Sequence, residues 1–132
     1  MARVHQLQLK VRYAECDMQG HVFNGHYLTW FDMAHTEALR ATIGPYRSIV
    51  ERGIDFVVAE ANVRYRLPAR FDDELSIGVT FQPLGTTSMT SHFAIHRAEE
   101  LVAEGTLRHV CVDASTFVKS QWPDWVRSAL GG

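Results

Sequence analysis

The chain has 132 residues, 46% hydrophobic and 21% charged, with a net charge of −2 when its histidines are neutral. That is the size of one globular domain with its own core, expected over residues 1–132; the balance of charge excludes a general nucleic-acid or membrane-surface binder, and no apolar stretch has the length of a bilayer span. Cys16 and Cys111 form neither a disulfide framework nor metal-ligand spacing, and the N-terminus lacks the apolar core of a signal peptide, so a reducing cytoplasm is expected.

His5 to Tyr13 alternates strictly, with Leu7, Leu9, Val11 and Tyr13 on one side and Gln6, Gln8, Lys10 and Arg12 on the other. Period two predicts a half-buried strand. Ala14 to Phe23 reads as a loop. From about Asn24 the period becomes helical: Tyr27, Phe31, Ala34, Ala38 and Ala41 share a face, and Thr29, Asp32, Thr36 and Arg40 lie opposite. Leu28, Trp30, Leu39 and Ile43 widen the apolar side, so this helix is expected to need cover round most of its circumference. Gly44 and Pro45 end it. Tyr46 to Arg52 is a candidate for a short second helix, closed by Gly53.

The remainder reads as sheet. Ile54 to Arg66 is rich in valine and aromatic residues, and Leu67 to Asp73, with Pro68, connects it onward. Leu75 to Phe81, Met89 to Arg97 and Leu101 to Ser115 complete the set, with a turn at Pro83 to Thr86. Trp122-Pro123 is placed to open a short terminal helix. Short links between successive strands predict an antiparallel sheet. One sheet must then cover one apolar helix, which is an α+β two-layer domain.

The stretch VRYAECDMQGHVFNGHYLTWFDMAH, Val11 to His35, holds a strand ending in an aromatic, the pattern D-x-x-G-h-V-x-N-x-x-Y, and a helix. FVVAEANVRYRLPARFDDELSI and AEGTLRHVCVD follow in order. Together they resemble the hotdog-fold acyl-CoA thioesterases of the 4-hydroxybenzoyl-CoA thioesterase type. The resemblance implies a hotdog fold, a curled five-stranded antiparallel sheet wrapped around one long central helix. It also implies a homodimer that forms the active site by pairing sheets edge to edge, stacking into a homotetramer. The substrate would be an acyl-CoA, with no cofactor beyond the coenzyme A thioester itself.

Thioester hydrolysis needs an attacking group and a holder for negative charge on the carbonyl oxygen. Asp17 is the candidate for the first, either attacking to form a mixed anhydride or drawing a proton from water. The backbone N–H of Asn24, at the positive end of the helix, is the candidate oxyanion donor. Asn24 departs from the aromatic found there in the 4-hydroxybenzoyl enzyme, a change that a backbone donor tolerates. Gly20 would supply a positive φ or a close backbone approach. His21 would orient Asp17 or line the pocket, or serve only as a structural hydrogen-bonder.

Phe23, Tyr27 and Glu60 are candidates to contact the acyl group. Arg64, Arg66 and Arg70 flank the Pro68 link and are candidates for the coenzyme A phosphates, with Arg97 and Arg108 on later strands. His21, His26 and His35 with Asp17 have no compact ligand spacing, so no metal is expected. No glycine loop supports nucleotide hydrolysis or hydride transfer. Two other readings compete: a hotdog hydratase or dehydratase on acyl thioesters, which needs a histidine paired with an acid, and a non-catalytic acyl-thioester-binding or carrier-protein-directed hotdog protein.

Overall fold

A computed structural model describes residues 4–130. Five strands, β1 (Val4–Lys10), β2 (Ile54–Tyr65), β3 (Glu74–Phe81), β4 (Ser88–Arg97) and β5 (Glu100–Asp113), form one antiparallel sheet in the order β1-β3-β4-β5-β2. Three helices accompany them: α1 (His26–Thr42), α2 (Tyr46–Glu51) and α3 (Asp124–Leu130). The period-two segments become the strands because alternation gives the sheet one apolar face. Leu75, Ile77 and Val79 of β3 and Met89, Phe93 and Ile95 of β4 are all buried on that face.

The helical segment supplies the other layer. Tyr27, Trp30, Phe31, Ala34, His35, Ala38 and Leu39 are the buried residues of α1, a stripe stepping by three or four residues. Phe31 stacks on Phe93 with ring centroids 4.5 Å apart and planes 9° from parallel, a pairing that adds about 0.5–1.5 kcal/mol to simple burial. A second cluster, including Leu39, Ile49, Ile54, Cys111, Trp122 and Val126, joins α2 and α3 to the sheet. There the indole of Trp122 donates to the Ser88 carbonyl at 3.0 Å.

Several expectations are corrected. The short second helix and the terminal helix expected from the sequence form as α2 and α3, so the long α1 is not the single helix that the resemblance implies, and the sheet covers one face of α1 rather than most of it. Leu28 and Met33 stay 38% and 45% exposed, because a single sheet reaches only one side of a cylinder. The first strand stops at Lys10, where its ladder partner β3 begins at Glu74. Beyond that point Tyr13–Glu15 form one turn of 3-10 helix, and Tyr13 is 81% exposed rather than facing the core.

The join between β2 and β5 depends on a missing side chain. A Cβ on Gly105 would collide with the Asn62 carbonyl oxygen and lie 2.9 Å from Cε2 of Phe31. Backbone cannot step aside as a flexible side chain can, so Gly105→Ala is expected to destabilise the fold by about 2–3 kcal/mol. A chemical-denaturation midpoint measured against the parent protein checks this.

Candidate active site

The polar segment before α1 folds as a small hairpin. Cys16 and Val22 form an isolated antiparallel bridge. Inside it the Asp17 N–H donates to the His21 carbonyl and the Gly20 N–H to the Asp17 carbonyl, both at 3.0 Å. Gly20 closes the turn at φ +84°, a conformation that glycine adopts without steric cost. Two further bonds tie the hairpin to the body of the protein: Val22 N–H to the Ala69 carbonyl at 2.8 Å and Phe23 N–H to the Glu15 carbonyl at 2.9 Å.

Glu15 anchors the hairpin from below. Its buried carboxylate accepts the Arg12 backbone N–H at 2.8 Å, the Arg12 guanidinium at 3.3 Å and the Trp30 indole N–H at 2.9 Å. Burial pushes its pKa up, but these three donors outweigh burial and hold the carboxyl below the ordinary range. One side chain thus links the end of the first strand, the loop and the core of α1.

Asp17 is half-buried and held by its own turn. Its Oδ1 accepts the Gln19 N–H at 2.8 Å, and Oδ2 has no hydrogen-bond partner among the described residues. His21, also half-buried, does not bond that carboxylate; its Nδ1 lies 3.4 Å from the Val22 carbonyl oxygen. The turn backbone, rather than the histidine, orients Asp17.

The start of α1 differs in detail from expectation. The helix begins at His26 rather than at about Asn24, with Gly25 as its N-cap, and no side chain caps it. Instead the chain enters through a tight turn: His26 N–H donates to the Phe23 carbonyl at 3.1 Å and Tyr27 N–H to the Asn24 carbonyl at 3.4 Å. Those bonds occupy the first helical N–H groups. The N–H of Asn24, one residue outside, has no hydrogen-bond partner among the described residues. The Tyr65 hydroxyl fixes this turn from the sheet side, donating to the Asn24 carbonyl at 2.9 Å.

These pieces meet in a cleft of ≈ 490 Å³ whose walls include Asp17, His21, Phe23, Asn24, Tyr27 and Tyr65, with Arg66 and Pro68 beside them. Tyr27 packs edge-on against both Trp30 and Tyr65, at 5.1 Å in each case. Burial raises the Tyr27 pKa, keeping its hydroxyl protonated. Phe23 is half exposed and free to meet a ligand. Of the three arginines beside the Pro68 link, Arg66 lines the cleft and pairs with Glu104 at 2.8 Å. Arg64 and Arg70 are exposed and lie off the cleft wall. Glu60 is exposed at the β2 bulge and does not line the cleft within this chain.

Sequence reasoning missed Tyr65. Its signal was faint: an aromatic at the last position of a strand, two residues before the Leu67-Pro68 link. Among the described residues no cluster of three potential ligands is arranged to hold a metal ion, and no helix is long and apolar enough to cross a membrane.

With the layers and the cleft in view, the likeness to known proteins is specific. Residues 11–130 match the family model of the Thioesterase-like superfamily. Acyl-CoA thioester hydrolase YbgC of Escherichia coli O6:H1 is 32% identical over 106 residues, covering 80% of this chain and 79% of that protein. The 1,4-dihydroxy-2-naphthoyl-CoA hydrolase of Nostoc punctiforme is 30% identical over 115 residues, covering 86% and 78%. Among solved structures, protein TT1821 of Thermus thermophilus superposes with a TM-score of 0.90 at 28% identity, covering 98% of this chain and 96% of that one. The family match and the two named hydrolases define a thioester hydrolase. The chain belongs to the Thioesterase-like superfamily, whose members share this hotdog arrangement.

Proposed function

We propose that the protein is an acyl-CoA thioesterase that hydrolyses an aromatic or short- to medium-chain acyl-CoA to the free acid and coenzyme A. Asp17 acts as nucleophile or general base, and the N–H of Asn24 holds the oxyanion. One observation carries this reading. A carboxylate fixed through one oxygen by the Gln19 N–H shares a cleft with an unpartnered backbone N–H at the start of a rigid helix. A donor of this kind, aimed at developing charge, is worth about 3–4 kcal/mol in the transition state. Names of relatives support the substrate class, since two act on acyl-CoA and on a naphthoyl-CoA.

Phe23 and Tyr27 supply the apolar wall for the thioester end of the substrate. Arg66, which lines the cleft, receives the coenzyme A phosphates, with the exposed Arg64 and Arg70 as outlying cations beyond the cleft wall; Arg66 must share its guanidinium between Glu104 and the ligand. β2 is an edge strand of twelve residues with Val57 and Val58 exposed. An uncovered edge of that length invites pairing, and a twofold contact with a second copy is the economical cover. Glu60 reaches an active site only across such a dimer, which would in turn stack as a tetramer.

A free-thiol assay on a panel of aromatic and aliphatic acyl-CoAs tests the proposal. Release of coenzyme A well above the uncatalysed rate for at least one member is expected. Water addition to an enoyl-CoA without thiol release would replace the proposal with a hydratase, and binding without turnover would replace it with an acyl-thioester-binding protein.

A further inference from the structure

The N–H assigned to the oxyanion sits in a four-residue turn. The Phe23 carbonyl accepts the His26 N–H at 3.1 Å, so Phe23 to His26 form a hydrogen-bonded β-turn with Asn24 and Gly25 at its centre. Gly25 holds φ −67° and ψ −22°, close to the third position of a type I turn and open to any residue. Glycine also accepts the φ of about +80° that the third position of a type II turn demands. The two types differ by a reversal of the central peptide, here the one joining Asn24 to Gly25. Both keep the bond from His26 to Phe23.

Something must therefore choose between them. The Asn24 carbonyl accepts two donors: the Tyr27 N–H at 3.4 Å, long for a hydrogen bond, and the Tyr65 hydroxyl at 2.9 Å. Tyr65 is well placed to hold its end still. It is the last residue of β2, paired with Ala103 of β5, and the next two N–H groups, of Arg66 and Leu67, both donate to the Val102 carbonyl. Its ring packs edge-on against the buried Tyr27. Burial raises the Tyr65 pKa, so the hydroxyl keeps its proton to donate.

A trans peptide carries its N–H and its C=O on opposite sides. With the Asn24 carbonyl drawn towards Tyr65, the Gly25 N–H faces the other way, and it has no backbone or side-chain partner among the described residues. Reversal would put a carbonyl oxygen where that N–H had been, one peptide along from the Asn24 donor. A dipole of that sign repels the negative charge that develops on a thioester oxygen.

We propose that Tyr65 is a positioning residue for hydrolysis, whose hydroxyl holds the Asn24–Gly25 peptide against reversal and so keeps the oxyanion donor effective. The effect on hydrolysis rests on the thioesterase reading; the hold on the peptide does not.

Tyr65→Phe deletes the hydroxyl and keeps the ring. It is expected to lower kcat about tenfold on an acyl-CoA that the parent cleaves, the factor matching one net hydrogen bond, with KM within about twofold. Gly25→Ala supplies the discriminating background. A Cβ there would lie 3.0 Å from Cε2 of Phe23, a half-exposed ring with room to swing aside, and alanine disfavours the positive φ of the reversed turn. With reversal already blocked, adding Tyr65→Phe is expected to cost at most about twofold relative to Gly25→Ala alone. That reference cancels whatever the moved Phe23 ring does to the rate. An unchanged kcat in Tyr65→Phe, or the same tenfold loss in both backgrounds, would overturn the proposal. A loss carried by KM alone would also overturn it and make Tyr65 a plain substrate contact.

A second arm needs no turnover. 15N relaxation dispersion and amide shifts are read at Asn24 and His26 in the ligand-free full chain. Exchange or displaced resonances are expected in Tyr65→Phe against the parent, and neither when Tyr65→Phe is added to Gly25→Ala. Undisturbed amides in Tyr65→Phe would overturn the hold on the peptide. If the parent cleaves no acyl-CoA, the thioesterase reading fails, and this arm still decides whether Tyr65 fixes the turn.

Discussion

Asp17→Asn is expected to lower kcat for acyl-CoA hydrolysis by about 10²–10⁴-fold, the range typical of losing a positioned base. The substitution keeps the shape of the side chain and its Oδ1 acceptor, so the turn bond from the Gln19 N–H at 2.8 Å can persist. What disappears is the negative charge on the oxygen that the turn leaves free. KM should change little, because the cleft walls formed by Phe23, Tyr27 and Tyr65 are untouched. A single turnover in 18O-labelled water separates the two chemical roles. As nucleophile, Asp17 forms an acyl anhydride while the C–S bond breaks and thiol leaves; water then opens the anhydride, and label can enter the Asp17 carboxyl. As general base it takes a proton from water, and label appears in the product acid alone.

Acid should loosen the fold through His35. In the unfolded chain its imidazole takes a proton as pH falls through about 6.5. In the folded protein, burial first and the neighbouring His109 second depress its pKa to about 3. Between those values the unfolded state binds the extra proton, so stability is full above the upper value and is lost as pH falls towards the lower one. His109, lowered mainly by burial, acts in the same direction. For His35 alone the expected loss between about pH 6.5 and pH 4.5 is about 2–3 kcal/mol. Urea midpoints across that window, at one protein concentration, should fall clearly for the parent and less steeply for His35→Phe. Parallel slopes in the two proteins would mean that His35 charges freely in the folded state.

How much of this was legible beforehand varies by element. Alternation in Leu75 to Phe81 and Met89 to Arg97 is a local property, and those strands lie where it places them, within a residue. The end of β1 is not local. Val11 still exchanges backbone bonds with Asp72 and Asp73 and is buried as the alternation expects, but Tyr13 lies beyond that pairing and turns out to solvent. The apolar width of α1 likewise overstated its cover, since Leu28 and Met33 are as hydrophobic as the residues that do face the sheet.

The site divides in the same way. Asp17, Gly20, His21, Phe23, Asn24 and Tyr27 sit within eleven residues of sequence, and all but Gly20 line one cleft. Tyr65 is 41 residues from the carbonyl it holds, and nothing in its neighbours announces that bond. The His35–His109 pair joins a helix to the last strand, a juxtaposition that only the packing of the two layers creates.

The most direct test of the central claim follows thiol and acid together. Purified protein is incubated with the acyl-CoA panel while free coenzyme A and free carboxylic acid are both quantified, for the parent and for Asp17→Asn. The account predicts one acid for each thiol released, at a rate that falls by at least about 10²-fold in the variant. Thiol and acid appearing equally fast with both proteins, or no thiol from any acyl-CoA, would contradict it.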